Sequence, residues 1–222
     1  MRRLSHSSAS LFQKCPAAWN YQYNLGVRGP SGKAAERGSR LHAACEKWLM
    51  GHIDKLPIEF WKIQGAMGEL KRTRPQVEVE VAVDAEWKAC DPLSKDAAWL
   101  SIIDILARPG PTTIHLVDLK SGKPYSTHQD QLQLYATMML SITDALDVGV
   151  SALYIDDGGY GHEKIYPRSL LPMLKSYYDD LRRKIHEEKE FAPTPSFDAC
   201  RFCAAAAQRG GPCTKAFGGE GK

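Results

Sequence analysis

Asp104, Asp118 and Lys120 are the residues whose types and spacing could do chemistry. Asp104 interrupts the apolar run Leu100-Ser101-Ile102-Ile103-Asp104-Ile105-Leu106-Ala107. After the turn Pro109-Gly110-Pro111, a second run, Ile114-His115-Leu116-Val117, leads into Asp118-Leu119-Lys120. Two strands joined by that turn bring the aspartates close together. Asp118 and Lys120 are two apart and project from one face of a strand. Carboxylates gathered at a sheet repel one another unless something uses them. A divalent cation cancels that repulsion, and an amine beside it can orient or deprotonate a metal-bound water.

Three further sets belong to the same reading. His42, in Gly38-Ser39-Arg40-Leu41-His42, would make a third metal ligand as a neutral imidazole. The alternative is a helix-surface histidine paired with Glu46, one turn on. Gln131 and Tyr135 share one helical face and could present an amide and a phenol to a nucleic-acid backbone, or belong to an ordinary helix with a half-buried tyrosine. Cys200-Arg201-Phe202-Cys203 lets two thiolates grip one soft metal from a turn. Cys213 follows across Arg209-Gly210-Gly211-Pro212, and Cys15 is the best source of a fourth sulfur. Zinc is the structural alternative. Cys45 and Cys90 read as small core residues.

The elements that must position these residues follow from local patterns. A helix capped by Ser7 or Ser8 runs through Lys14, and Pro16 opens another to about Asn24. Helices are expected over 34–50, 56–72, 127–145 and 169–190. Val77 to Val83 alternates with period two, as a strand does. Val150–Ile155 and His162–Tyr166 flank Asp156-Asp157-Gly158-Gly159 as a hairpin. This order implies α/β layering around a small mixed sheet.

The 222 residues suffice for one substantial domain, and 43% hydrophobic with 25% charged residues is ordinary for a globular protein. No apolar run reaches the length of a membrane-spanning helix, and no signal peptide follows Met1-Arg2-Arg3, so a cytoplasmic protein is expected. Residues 1–50 carry +6 of a chain whose net charge is +3. That suits a polyanionic partner or, more blandly, a solvated face. Trp19, Tyr21 and Tyr23 could stack on bases or pack in a core. No phosphate-binding Gly-x-x-x-x-Gly-Lys-[Ser/Thr] is present, which excludes a helicase motor and leaves a stand-alone enzyme or a subunit.

Taken in order, these motifs resemble the RecB-like branch of the PD-(D/E)XK nuclease superfamily. The resembling pieces are Ser8, Ser10 and Leu11 with Cys15-Pro16-Ala17-Ala18-Trp19, then Gly38-x-x-x-His42, Ile103-Asp104, Asp118-Leu119-Lys120-Ser121-Gly122 and Gln131-Leu132-Gln133-Leu134-Tyr135-Ala136. The terminal cysteines resemble the iron–sulfur subset, which includes AddB-type and small CRISPR-associated nucleases. The resemblance implies a restriction-endonuclease-like core, a small central mixed sheet flanked by helices. To this it adds a helical N-terminal region and a Cys-rich C-terminal tail. Within one domain over 1–222, it sets the helical part at 1–75, the sheet core at 76–166, the long helix at 167–190 and the tail at 191–222.

It further implies a metal-dependent DNA exonuclease acting on single strands or duplex ends. Mg²⁺ or Mn²⁺ would be held by His42, Asp104, Asp118 and the carbonyl of Leu119. Lys120 would activate water, and Gln131 and Tyr135 would shape the site and touch the strand. Cys15, Cys200, Cys203 and Cys213 would hold a [4Fe–4S] cluster. DNA is the implied partner, with a helicase, a recombination protein or the CRISPR-adaptation machinery, and no membrane. Two departures stand out: Ser101 replaces the family's usual Gly, and the Cys203–Cys213 spacing is longer than usual. The rival readings are a non-catalytic nucleic-acid-binding module on the same fold and a zinc-stapled interaction protein.

Overall fold

The computed structural model describes residues 2–30, 32–215 and 217. The helices are α1 His6–Lys14, α2 Pro16–Trp19, α3 Lys33–Leu49, α4 Gln64–Arg72, α5 Thr127–Ile142, α6 Leu171–Glu187 and α7 Phe197–Cys200. The strands are β1 Gln76–Val83, β2 Trp99–Ala107, β3 Thr113–Lys120, β4 Asp147–Tyr154 and β5 Gly159–Pro167. Two compact units emerge: Met1–Leu4 with Gly32–Asp179, and Ser5–Ser31 with Asp180–Lys222.

The first unit is built on the sheet, whose spatial order β1-β2-β3-β4-β5 follows the chain. β3 and β4 are parallel, and the other neighbours are antiparallel. A parallel pair needs a long crossover, which α5 supplies. Every residue of α5 from Leu134 to Leu140 is buried. Such a helix is covered on all sides and cannot be a surface amphipath. On one face of the sheet, Ile105, Val117, Leu119 and Leu153 pack with Leu41 and Cys45 of α3 and Met67 and Leu70 of α4. Trp99 meets Tyr178 edge-on at 5.4 Å, and Leu4 pairs with Trp99 as a short parallel bridge. Ser101 is buried and donates to the Met138 sulfur at 3.3 Å, so its hydroxyl is accommodated inside the core.

Some boundaries differ from expectation. The helix expected over 56–72 is a 3₁₀ segment, Ile58–Ile63, followed by α4. Pro57 and the β-branched and aromatic residues Ile58, Phe60, Trp61 and Ile63 weaken an α-helix there. α5 stops at Ile142, because Thr143 turns extended and both its N–H and its hydroxyl bond the Met139 carbonyl. The cap of α1 is Ser5, which accepts from the Ser8 N–H, rather than Ser7 or Ser8. No helix among the described residues is long and apolar enough to cross a membrane.

The second unit centres on Trp19, which is 4% exposed. Its indole donates to Ser8 Oγ at 2.9 Å, and the ring meets Phe12, Tyr23 and, stacked at 5.8 Å, Phe191. Trp19 is therefore core and has no face for a base. Thr194 donates to the Lys14 carbonyl at 2.6 Å, and Ser196 caps α7.

Candidate active site

Three carboxylates lie in a row across β1, β2 and β3. The β1–β2 register on either side, Val77↔Ile105 and Val79↔Ile103, sets Glu78 opposite Asp104. The β2–β3 register, Ile105↔Val117 and Leu106↔Leu116, would set Asp104 opposite Asp118. Like charges directly opposite one another are destabilising, and both ladders give way at this level. Glu78 takes φ +48°, a left-handed backbone rare for a residue with a side chain. β2–β3 pairing stops at Ile105↔Val117, and Asp104 Oδ2 instead accepts the Leu119 N–H at 2.6 Å. Strain at such a point belongs to sites that the surrounding fold over-determines.

His42 reaches this row from α3. Its Nδ1 lies 3.2 Å from Asp104 Oδ1. Its partner is thus Asp104 and not Glu46, although Glu46 lines the same hollow with Gly38, Ser39 and Glu78. His42, Glu78 and Asp104 each offer a ligand atom, and these atoms all fall within 4.8 Å of one another. Burial opposes His42 protonation. The hydrogen bond and charge of Asp104, with Asp118 and Glu78 behind it, outweigh burial and raise its pKa.

The other half of the site is a chain of polar contacts behind Asp118. Asp118 is buried, and Lys120 Nζ lies 2.6 Å from its Oδ2. That contact is a close ion pair, and it draws down the pKa that burial raises. Lys120 Nζ also donates to Gln131 Oε1 at 2.9 Å, and Gln131 Nε2 donates to the Tyr135 hydroxyl at 2.6 Å. That hydroxyl donates to the Ile102 carbonyl at 2.8 Å and lies 3.4 Å from Asp118 Oδ1. Gln131 and Tyr135 are therefore committed to Lys120, Asp118 and β2. They set the position of the ion pair, which is the site-shaping part of the role the sequence suggested.

Charge crowding appears in the acidities. Burial, then the Asp104 carboxylate, pushes Asp118 up to about 6, against the pull of Lys120 and His42. Burial and Asp104 likewise raise Glu78. These observations test whether a cation fits. Carboxylates held close together and a nearby imidazole form a donor set of mostly hard oxygens, which suits a hard divalent cation. Glu78 is the residue that sequence reasoning missed. The alternation Val77-Glu78-Val79-Glu80 assigned it to the polar face of a strand, and only pairing with β2 distinguishes it from Glu80.

In the second unit, Cys15, Cys200, Cys203 and Cys213 line one cavity. Gly211 makes the long Cys203–Cys213 spacing possible. Any side chain there would collide with the backbone of Ala204 and Ala205. Gly210 turns the chain at φ +78°. The returning segment then pairs with 205–207: Cys213 N–H donates to the Ala205 carbonyl at 2.7 Å, and Ala207 N–H to the Cys213 carbonyl at 3.1 Å. Among the described residues, no three cysteine sulfurs lie within 4.8 Å of one another. Cys45 is buried in the core, and burial pushes its thiol up to about 12. Cys90 is half-buried, so the expectation of a core residue does not hold for it.

Comparison with known proteins bears on both arrangements. The sequence profile of the PD-(D/E)XK nuclease superfamily matches residues 3–101 and 64–208. Among solved structures, the chain is similar to the crystal structure of SSO0001. The TM-score is 0.52 at 15% identity, over 91% of this chain and 82% of that one. It also matches LHK-Exo in complex with dAMP, with TM-score 0.43 and 15% identity over 83% and 88% of the two chains. The alkaline exonuclease LHK-Exo from Laribacter hongkongensis matches with TM-score 0.38 and 14% identity over 83% and 90%. No match was found among curated proteins. The match to the superfamily spans the three-carboxylate row, the lysine beside it and Cys15, Cys200 and Cys203, and ends short of Cys213: the chain belongs to the PD-(D/E)XK nuclease superfamily.

Proposed function

We propose that the chain is a Mg²⁺- or Mn²⁺-dependent deoxyribonuclease, an exonuclease acting on single strands or duplex ends. The observation that carries this reading is the row Glu78–Asp104–Asp118 with Lys120 held against its buried end. His42, Asp104, Asp118 and the Leu119 carbonyl would hold the cation, joined by Glu78, which with His42 and Asp104 brings three ligand atoms within 4.8 Å of one another. The bound cation supplies Lewis acidity toward the scissile phosphate and a lowered pKa for water. Hydrolysis joins a water oxygen to phosphorus and breaks the bond to the leaving sugar oxygen, which takes up a proton. Lys120, pinned by Asp118 and Gln131, presents its ammonium to the attacking water or to a non-bridging phosphate oxygen. Tyr135 and Gln131 keep that ammonium from drifting. The intact set disfavours a non-catalytic module. The test is cleavage of end-labelled single- and double-stranded DNA with Mg²⁺, Mn²⁺ or a chelator. Absence of metal-dependent cleavage would overturn the reading.

For the cysteines we propose a [4Fe–4S] cluster on Cys15, Cys200, Cys203 and Cys213. A single zinc draws its sulfurs to about 3.8 Å of each other, given Zn–S bonds of about 2.3 Å. Four cysteines lining one mostly apolar cavity suit a cluster held by four thiolates. Elemental analysis of anaerobically purified protein decides between iron and zinc.

A further inference from the structure

A second surface of the first unit has chemistry that the catalytic row does not use. Trp61 is 65% exposed and Ile58 is 80% exposed, both on the 3₁₀ segment Ile58–Ile63. They line a groove with Trp48, Leu56 and Pro57. Each tryptophan carries a lysine over its ring. Lys62 Nζ is 5.7 Å from the Trp61 centroid, and Lys71 Nζ is 4.0 Å from that of Trp48. Exposed indole costs free energy in water, so an exposed tryptophan beside a lysine suits an occupant with flat rings and negative charge.

The groove also leads somewhere. Lys62 lies over Gly158, whose missing side chain makes room for it, and donates to the Asp156 carbonyl at 2.6 Å. Arg37 grips the Asp156 carboxylate through both terminal nitrogens, at 2.7 and 3.1 Å, and donates to the Ser121 carbonyl at 2.8 Å. Ser121 directly follows Lys120. A chain of polar contacts thus runs from Lys62 beside the groove through Asp156 and Arg37 to the residue after Lys120. Asp156 and Glu59 are paired with Arg37 and Arg40, and the groove's own lining holds an acid, Asp54, beside a cation, Lys55, which leaves Lys62 as the cation next to Trp61.

We propose that this groove binds unpaired single-stranded nucleic acid, with a base stacked on Trp61 and the adjoining phosphate on Lys62. That the strand then reaches Lys120 for cleavage rests on the function proposed above; the binding itself does not. Stacking on an aromatic face is sequence-tolerant because every base has such a face, and phosphate contacts make binding salt-dependent.

The test uses the full chain in EDTA, where no metal-dependent cleavage occurs, and a fluorescein-labelled oligo-dT of twenty nucleotides. Fluorescence anisotropy gives Kd over a range of salt concentrations. Trp61→Ala is expected to weaken binding at least about fivefold, and Trp61→Phe to restore most of it. Lys62→Gln is expected to lower the slope of log Kd against log salt by about one. Equal Kd for wild type and Trp61→Ala, or no binding of the oligonucleotide by wild type, overturns the proposal and leaves the groove to a protein partner. Trp61-dependent binding without any metal-dependent cleavage sinks the nuclease reading and leaves the groove standing.

Discussion

The carboxylate row and the cysteine cavity are two ways of gathering ligands. In the row, charged groups stand on neighbouring strands, and the sheet holds them against their repulsion. The cost is visible in a left-handed Glu78, a truncated β2–β3 ladder and an Asp118 acidity pushed up to about 6. The cysteines sit among alanines: Cys15 with Ala17 and Ala18, Cys200 with Ala206. Thiols are weakly polar, so burying them neutral costs little. The difference teaches why the two proposed metals differ: a crowded oxygen site would be relieved by a hard cation, and an apolar sulfur site would be completed by a soft one.

The comparison breaks most sharply at Asp118 and Lys120. Asp118→Ala is expected to abolish cleavage and weaken Mn²⁺ binding. Lys120→Ala is expected to lower the rate by about 10²–10⁴-fold with Mn²⁺ affinity retained. Both should keep the wild-type iron content. Calorimetric titration, single-turnover assays and elemental analysis check this, and full activity in either variant removes the row from catalysis.

Cys15→Ser probes the other side. Loss of nearly all iron is expected, because the remaining three sulfurs leave a cluster site incomplete. Metal binding is also folding energy, so limited proteolysis should cut the 191–215 segment faster. Cys45→Ser should keep its iron. Full metal in Cys15→Ser would refute the four-cysteine set.

Glu78→Gln tests whether the row has three members or two. It is expected to weaken Mn²⁺ affinity by about 10–100-fold without loss of fold, and unchanged calorimetric affinity would return Glu78 to a structural role.

The smallest effect concerns stability without metal. Asp118 ionises with more difficulty in the folded chain, at about 6, than in the unfolded one, at about 3.9. The folded state therefore binds the proton more tightly. Stability falls as pH rises between these values, and the deficit is complete above about 6. In metal-free protein, Asp118→Asn should melt on the order of a few degrees above wild type at pH 8. At pH 4, where wild-type Asp118 is largely protonated, that advantage should vanish. An equal melting temperature at pH 8 would mean that the burial of Asp118 is already compensated.

What the sequence determined by itself is local. Period-two alternation and a Pro/Gly turn set Asp118 and Lys120 on one strand face, and the ion pair of 2.6 Å follows. Four-residue spacing aligned Gln131 with Tyr135, and Cys-x-x-Cys announced its own turn. Tertiary structure decided everything that depends on which surfaces meet. Strand register singled out Glu78 from the otherwise similar Glu80, and gave His42 to Asp104 rather than to Glu46. Burial reversed the tryptophans, sealing Trp19 in a core and exposing Trp61. Cys15 joined the cavity of Cys200 across most of the chain. The physical reason is that backbone periodicity is written within a few residues. Register, burial and the meeting of charges are properties of segments far apart in sequence, which acquire values only when the chain has packed.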